Sequence, residues 1–235
     1  MCIRDRGSDD AANTGVASNE IEIKPFDEDG HDMLPKQFNI YLTGVGGQGI
    51  GLISEIILRA ADHAGHPVKG VDTHGLAQRG GIVVSQIRIG EKIHTPLIPR
   101  GQADLGVALE RHEALRAITG ALKNGGILVY YNTVWQPLPV RFNQDGEVSE
   151  EALSRVCSNR QIKEYNVSIP DLEDPRMQNI AVLSVVDQQG IIPGIESGHY
   201  KAAMTDLMQG TMLVKNLSLF QRNNQEIAGS MKGND

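Results

Sequence analysis

The chain has 235 residues, a formal net charge of −7 and a pI near 5.5. Hydrophobic residues make up 40% of it and aromatic residues only 4%, so we expect one domain with an aliphatic core. The acidic balance disfavours binding to nucleic acid or to an anionic membrane surface. Because no apolar stretch could span a membrane and no apolar run follows the charged start, the sequence predicts a cytoplasmic protein.

The two cysteines, Cys2 and Cys157, lie far apart in the sequence. A protein-bound iron–sulfur cluster usually needs four cysteine ligands, so we do not expect this chain to hold one. Cys2 falls in a polar terminal segment, which makes a structural disulfide unexpected and a reducing compartment the default. His94 and His199 stand alone, without metal-ligand spacing, and we predict no metal site.

The composition along the chain predicts a disordered acidic tail over 1–36, a folded domain over 37–222 and a flexible tail over 223–235. Short runs rich in β-branched residues predict strands at 38–43, 68–71, 82–89, 104–109, 127–131 and 162–167. Apolar residues at helical spacing predict helices at 52–62, 111–122, 150 onward, 176–189, 198–207 and 210–222, with Ser149 as the cap of the third.

Strands that alternate with helices predict an α/β fold, a three-layer sandwich in which a mostly parallel sheet carries helices on both faces. The connection over 73–81 is an exception to this alternation. It is too short for the crossover helix that joins parallel neighbours, so the third strand should pair antiparallel or lie at the sheet edge. The fold is therefore Rossmann-like but not a standard dinucleotide half.

A glycine-rich segment, Gly44-Val45-Gly46-Gly47-Gln48-Gly49, follows the first predicted strand and opens the first predicted helix. We call residues 44–49 the glycine turn. Glycines permit a tight turn, and a helix N-terminus presents unpaired N–H groups and a partial positive charge that stabilise an anion. The alternative is that the glycines only let the strand pass into a closely packed helix, and the motif alone is compatible with both.

A dinucleotide site is the more specific version of the anion hypothesis. Asp72 ends the second predicted strand a little over twenty residues past the glycines, where an acid that binds ribose would lie. The short 73–81 connection argues against it, because a dinucleotide half continues through a second crossover helix.

The second polar segment runs from Asp72 to Gly81, and we call residues 72–81 the polar loop. It places a carboxylate, an imidazole, an amide and a guanidinium between two strands. Arg79 could present a bidentate fork to a carboxylate or phosphate. The alternatives are an ion pair of Arg79 with Asp72 or Asp104 that only staples the loop, or a contact with a partner chain.

These two segments supply the candidate site residues. We expect cofactor-binding residues at Gly44, Gly46, Gly47, Gln48, Gly49, Gln78, Arg79, Gly80 and Gly81, and we name His74 and Arg79 as candidates for catalysis without an assigned role. His112 and Glu113 are expected to be solvated on a helix surface. The helical spacing of Met204, Met208 and Met212 indicates core or interface packing rather than a cofactor site.

Together, the glycine turn and Thr73-His74-Gly75-Leu76-Ala77-Gln78-Arg79-Gly80-Gly81-Ile82-Val83-Val84-Ser85 resemble the gamma domain of the 2-oxoacid:ferredoxin oxidoreductases. The T-H-G-x-x-Q-R-G-G form is similar to the beta subunit of the indolepyruvate branch. The strand near 103–106, the turn near 122–126 and the helix around Asn179 also match the family's order, so the resemblance covers roughly 38–220.

This resemblance implies a two-chain enzyme that converts a 2-oxoacid, coenzyme A and oxidised ferredoxin to an acyl-CoA, carbon dioxide and reduced ferredoxin. The large partner subunit would hold thiamine diphosphate, Mg and [4Fe-4S] clusters, in a heteromer with two copies of each chain. This chain would be a small, cofactor-free subunit, inactive alone, that closes the active site or the coenzyme A entrance, with 46–49 and Arg79 near an anionic group. The alternatives are a stand-alone NAD-dependent dehydrogenase and a regulatory module that binds a nucleotide or coenzyme A.

Overall fold

A computed structural model of the chain describes residues 37–73, 81–134, 147–170, 172 and 174–231. The predicted tail at 1–36 and the last four residues of the predicted tail at 223–235 lie outside the described residues. The domain bounds stay a prediction. Within the described residues no helix is both long and apolar enough to cross a membrane.

The described strands form one six-stranded sheet in the order β2-β3-β1-β4-β5-β6. They are β1 (Phe38–Val45), β2 (Val68–Thr73), β3 (Ile82–Ile89), β4 (Ala103–Ala108), β5 (Leu122–Tyr131) and β6 (Lys163–Val167). The pairs β1–β4, β4–β5 and β5–β6 are parallel, whereas β3 pairs antiparallel with both β1 and β2. The sheet is thus mostly parallel, as predicted, and its single reversed strand lies inside the sheet rather than at its edge.

The described helices are α1 (Ile50–His63), α2 (Arg111–Gly120), α3 (Glu150–Asn159), α4 (Gln178–Gln188), α5 (Ser197–Leu207) and α6 (Gly210–Met231), with a short 3₁₀ turn at Pro175–Met177. One hydrophobic cluster joins α1, α4, α5 and α6 to one face of the sheet, and a second joins α2 and α3 to the other. Successive residues of β5 enter opposite clusters, because side chains alternate along a strand. This is the predicted three-layer α/β sandwich.

The helices differ in how completely the fold covers them. α1 buries one apolar stripe, which includes Ile53, Ile56 and Ile57, and exposes the opposite side. In α4 every residue from 178 to 186 is buried. A helix covered on all sides must lie inside the domain, and α4 indeed packs between α1, α6 and β5.

Several predicted boundaries differ from the structure. β5 begins at Leu122, so Gly125 and Gly126 lie inside the strand rather than before it, and the preceding helix ends earlier, at Gly120. Because Lys123 and Asn124 are polar, the sequence did not indicate that this segment belongs to the strand. The last helix extends beyond the predicted residue 222 to Met231. Ser149 caps α3 as predicted, because its hydroxyl accepts the Ala152 N–H at 3.2 Å.

Two buried tyrosines provide a test of this core. Tyr200 is fully buried, and its hydroxyl has no hydrogen-bond partner in the structure. The hydroxyl of Tyr131 donates to the Ile169 carbonyl at 3.2 Å. We expect Tyr200→Phe to leave the free energy of unfolding unchanged or raise it by up to about 1 kcal/mol, and Tyr131→Phe to lower it by about 1 kcal/mol. Urea unfolding measures both, and a larger loss for Tyr200→Phe would contradict this description.

Candidate functional site

The glycine turn and the described ends of the polar loop lie at the same end of the strands. β1 and β2 point the same way, since each is antiparallel to β3, so both strands finish at this end of the sheet and β3 begins there. β3 is paired with both β2 and β1 and returns the chain to β1. There the Gly46 N–H donates to the Gly81 carbonyl at 2.8 Å. Residues 35 positions apart in sequence are thus in direct contact.

The glycine turn has the backbone conformation that its glycines were expected to allow. Gly47 and Gly49 have φ angles of 103° and 86°, which L side chains rarely adopt. Gly49 is the N-cap of α1, no side chain of the described residues caps this end, and the first turn carries no acidic residue. The first N–H groups of a helix have no intrahelical acceptor, so the end of α1 retains its donors and its partial positive charge.

Gln48 holds the turn in place. Its side chain is 1% exposed. The side-chain Oε1 accepts the Val45 N–H at 2.6 Å, and Nε2 donates to the Leu109 carbonyl at 2.9 Å. The oxygen and the nitrogen of the Gln48 amide therefore both bind backbone groups, so the motif needs a glutamine here to hold the turn in shape. The expectation that Gln48 also binds a cofactor stays a prediction.

Asn179 makes a contact that sequence reasoning missed. It lies in the first turn of α4 and is 2% exposed. Its Nδ2 donates to the Gly49 carbonyl at 3.3 Å, and a Cβ built on Gly49 would lie 2.4 Å from the same atom. Gly49 is thus required both by its φ angle and by the close approach of α4. No sequence signal links these residues, which are 130 positions apart.

The turn lies where the helices change faces of the sheet. β1 and β4 are neighbours, but α1 packs on one face and α2 on the other. In open α/β sheets such a switch point leaves a crevice outside the carboxyl ends of the strands, where ligands bind. The glycine turn and the segment after β4 are in contact at this point, because the Gln48 side chain donates to the Leu109 carbonyl.

The segment after β4 carries buried carboxylates, and the prediction that His112 and Glu113 are solvated is wrong. Glu110 and Glu113 are fully buried, and the His112 side chain is 9% exposed. Glu110 caps α2 by accepting the N–H groups of His112 and Glu113. Glu113 accepts the Thr43 hydroxyl at 2.7 Å, which connects α2 to β1. The helical pattern of α2 is too short to reveal this burial.

The Asp72 carboxylate accepts a hydrogen bond from a side chain of α1. The Ser54 hydroxyl donates to its Oδ1 at 3.1 Å. β3 separates β2 from β1, so Asp72 lies two strand spacings, about 10 Å, from the strand of the glycine turn. In a dinucleotide half the second strand lies directly beside the first, so this topology argues against the NAD interpretation.

Asp104 lies at the start of β4, at the opposite end of the strands from Asp72 and Gly81. Its carboxylate accepts the Lys123 ammonium and the Asn39 N–H. An ion pair of Arg79 with Asp72 or Asp104 stays a prediction. His74, Gln78, Arg79 and Gly80 lie outside the described residues, and their roles stay predictions.

The rest of the described chain shows no second candidate site. Its residues include no cluster of three or more His, Cys, Asp or Glu that could hold a metal ion. Cys157 is buried, which raises the pKa of its thiol to about 12 and makes it a poor nucleophile. Met204 and Met208 are core residues, whereas Met212 is 51% exposed on α6.

The family model described as "Pyruvate ferredoxin/flavodoxin oxidoreductase" matches residues 39–225. The chain belongs to this family. The resemblance drawn from the glycine turn and the polar loop is therefore confirmed.

Curated relatives come from the indolepyruvate branch of the family. "Indolepyruvate oxidoreductase subunit IorB" of Archaeoglobus fulgidus is 50% identical over 97 residues, which are 41% of this chain and 47% of the relative. The protein of the same name from Thermococcus kodakarensis is 42% identical over 104 residues, or 44% of this chain and 50% of the relative. The matched region spans about half the length of these relatives.

Solved structures of the family share the fold. A 2-oxoglutarate:ferredoxin oxidoreductase from Magnetococcus marinus, with 2-oxoglutarate, coenzyme A and succinyl-CoA bound, gives a TM-score of 0.58 at 20% identity, covering 81% of this chain and 31% of that one. The gamma subunit of the keto/oxoacid ferredoxin oxidoreductase from Geobacter sulfurreducens gives 0.55 at 18% identity, covering 82% and 99%.

The contact between Gly49 and Asn179 leads to a stability test. Gly49→Ala combines an unfavourable φ with a collision at Asn179, so we expect it to lower the free energy of unfolding by about 3 kcal/mol or more. Gly47→Ala is the matched control, because its φ is also positive but a Cβ there meets nothing within 4 Å; we expect a loss of about 1–2 kcal/mol. Equal losses in urea unfolding would contradict the role of Asn179.

The buried Glu113 leads to a pH test. Burial raises the pKa of its carboxyl above the ordinary 4.5, while the Thr43 hydroxyl and Arg116 oppose the rise. With the folded-state pKa above the unfolded one, the folded state binds more protons between the two values, so stability falls as pH rises through that window. Glu113→Gln removes this loss. Its stability gain over the natural protein should therefore be near zero below pH 4 and positive at pH 7, and a gain independent of pH would contradict the assignment.

Proposed function

We propose that this chain is the small subunit of an arylpyruvate oxidoreductase of the indolepyruvate type. The complex oxidatively decarboxylates a 2-oxoacid to an acyl-CoA and passes the electrons to ferredoxin. The chain itself is inactive alone and contributes an anion-binding wall to the active site or to the coenzyme A entrance.

The choice of substrate class is supported by the relatives. Those compared are 41–50% identical over the matched residues and carry the name indolepyruvate oxidoreductase subunit. The solved structures are too distant for such an argument and support the fold alone.

The role of the chain is carried by one observation, the hydrogen bond from Gly46 to Gly81. It joins the uncapped end of α1 to the end of the polar loop at the switch-point crevice. A helix end with free N–H groups and no neighbouring acid in its first turn stabilises phosphate or carboxylate groups. Coenzyme A carries such phosphates, whereas the reacting carbon of a 2-oxoacid needs a cofactor that acts as an electron sink.

The cofactors are assigned to the partner. Two cysteines in the whole chain are too few for a cubane cluster, and the buried Cys157 is not available as a ligand without rearrangement. Thiamine diphosphate, Mg and the [4Fe-4S] clusters therefore belong, in this proposal, to a larger subunit that pairs with this chain in a heteromer. When bound there, thiamine diphosphate supplies the carbanion chemistry.

Co-expression with a large thiamine diphosphate and iron–sulfur subunit of the same family from the same host, under anaerobic conditions, tests the proposal. We expect a brown complex that contains thiamine diphosphate and reduces ferredoxin in the presence of indolepyruvate and coenzyme A, while each chain alone is inactive. A colourless protein that recruits no partner and saturably binds NADH would contradict it and favour the dehydrogenase alternative.

Arg79→Ala tests the anion-binding role within that complex. Loss of a charged hydrogen-bond donor to a phosphate should raise the KM for coenzyme A about tenfold or more. Arg155→Ala is the control, because Arg155 lies on the outer helix α3 and bonds only to the Glu151 carbonyl among the contacts of the described residues. An unchanged KM and kcat in Arg79→Ala would remove Arg79 from the site.

A further inference from the structure

Asp72 and Ser54 join two elements that both border the glycine turn. Ser54 is a fully buried hydroxyl on α1, and α1 begins at the turn. Asp72 lies near the end of β2, just before the hairpin that returns through Gly81. The hydrogen bond of 3.1 Å between them is therefore a direct link from the helix to the hairpin.

Strand pairing connects the Ser54–Asp72 hydrogen bond to the glycine turn. Asp72 pairs across the strands with Ser85, which in turn pairs with Leu42 of β1. At the end of the same ladder Ile82 pairs with Val45, and the adjacent Gly81 accepts the Gly46 N–H. The β1–β3 ladder ends beside Gly81, and the Ser54–Asp72 hydrogen bond adds an anchor between α1 and the outer strand β2 of the same sheet.

We propose that Asp72 is a positioning residue, which fastens the β2–β3 hairpin to α1 through Ser54 and so holds the Gly81 carbonyl against the glycine turn. In this role the Oδ1 of Asp72 accepts the Ser54 hydroxyl and binds no ligand. The effect on ligand binding rests on the proposed function, in which the glycine turn receives an anionic group of coenzyme A.

The chain offers a matched set of variants. Ser54→Ala and Asp72→Ala each remove the hydrogen bond, whereas Asp72→Asn keeps an acceptor oxygen without the charge. Ser85→Ala is the control, because Ser85 is also a fully buried hydroxyl, next to Asp72 across the strands, but its Oγ has no partner in the structure.

Amide hydrogen exchange of the full chain, read by NMR, tests the link directly. We expect Ser54→Ala and Asp72→Ala to speed exchange of the Gly46 amide about tenfold, while Ser85→Ala and Asp72→Asn stay within about threefold of the natural protein. The Leu109 amide, which donates to the Thr43 carbonyl at the same edge, should be unaffected. Unchanged Gly46 exchange in both Ala variants, or an equal rise at Leu109, would overturn the proposal.

The KM for coenzyme A, measured with the assembled complex, separates this proposal from the proposed function. Both Ala variants should raise the KM about five- to tenfold with kcat within about twofold, and Asp72→Asn should restore it. Faster Gly46 exchange with an unchanged KM would support the positioning role and contradict the binding of coenzyme A at the turn. A raised KM that Asp72→Asn does not restore would show that the ligand meets the carboxylate itself and would overturn the positioning role.

Discussion

The short connection between β2 and β3 is the constraint on which the candidate site depends. It cannot accommodate a crossover helix, so β3 must run antiparallel and enter the sheet beside β1. That placement brings Gly81 to Gly46 and moves Asp72 one strand further from the glycine turn than in a dinucleotide half. This one topological feature brings the described ends of the site together and distinguishes the fold from the dinucleotide-binding fold.

Buried polar side chains then fix the crevice. Gln48 ties the turn to β4, Asn179 ties it to α4, and Glu113 ties α2 to β1 through Thr43. Burial of such groups is costly unless each is hydrogen-bonded, and here each bonds to backbone or to a neighbouring side chain. The side chains around the turn are therefore occupied in holding it, whereas the N-terminal amides of α1 remain as donors. This division suits a site whose ligand is recognised by backbone groups and by the polar loop.

The sequence predicted the three-layer fold because its strands are short apolar runs and α1 shows clear helical periodicity. It also predicted that β3 would break the parallel pattern, since the length of a connection is visible in the sequence. It did not reveal the polar start of β5 at Lys123, because glycine and lysine there resemble a turn. The burial of Glu113 and the contact of Asn179 with Gly49 depend on how distant elements pack, which no local pattern encodes.

A density map of the assembled complex with coenzyme A bound, determined anaerobically, tests the central claim most directly. We expect an anionic group of coenzyme A within hydrogen-bond distance of the backbone amides at 46–50, with Arg79 beside it. A map in which coenzyme A binds only the large subunit, with the glycine turn packed against protein, would contradict it.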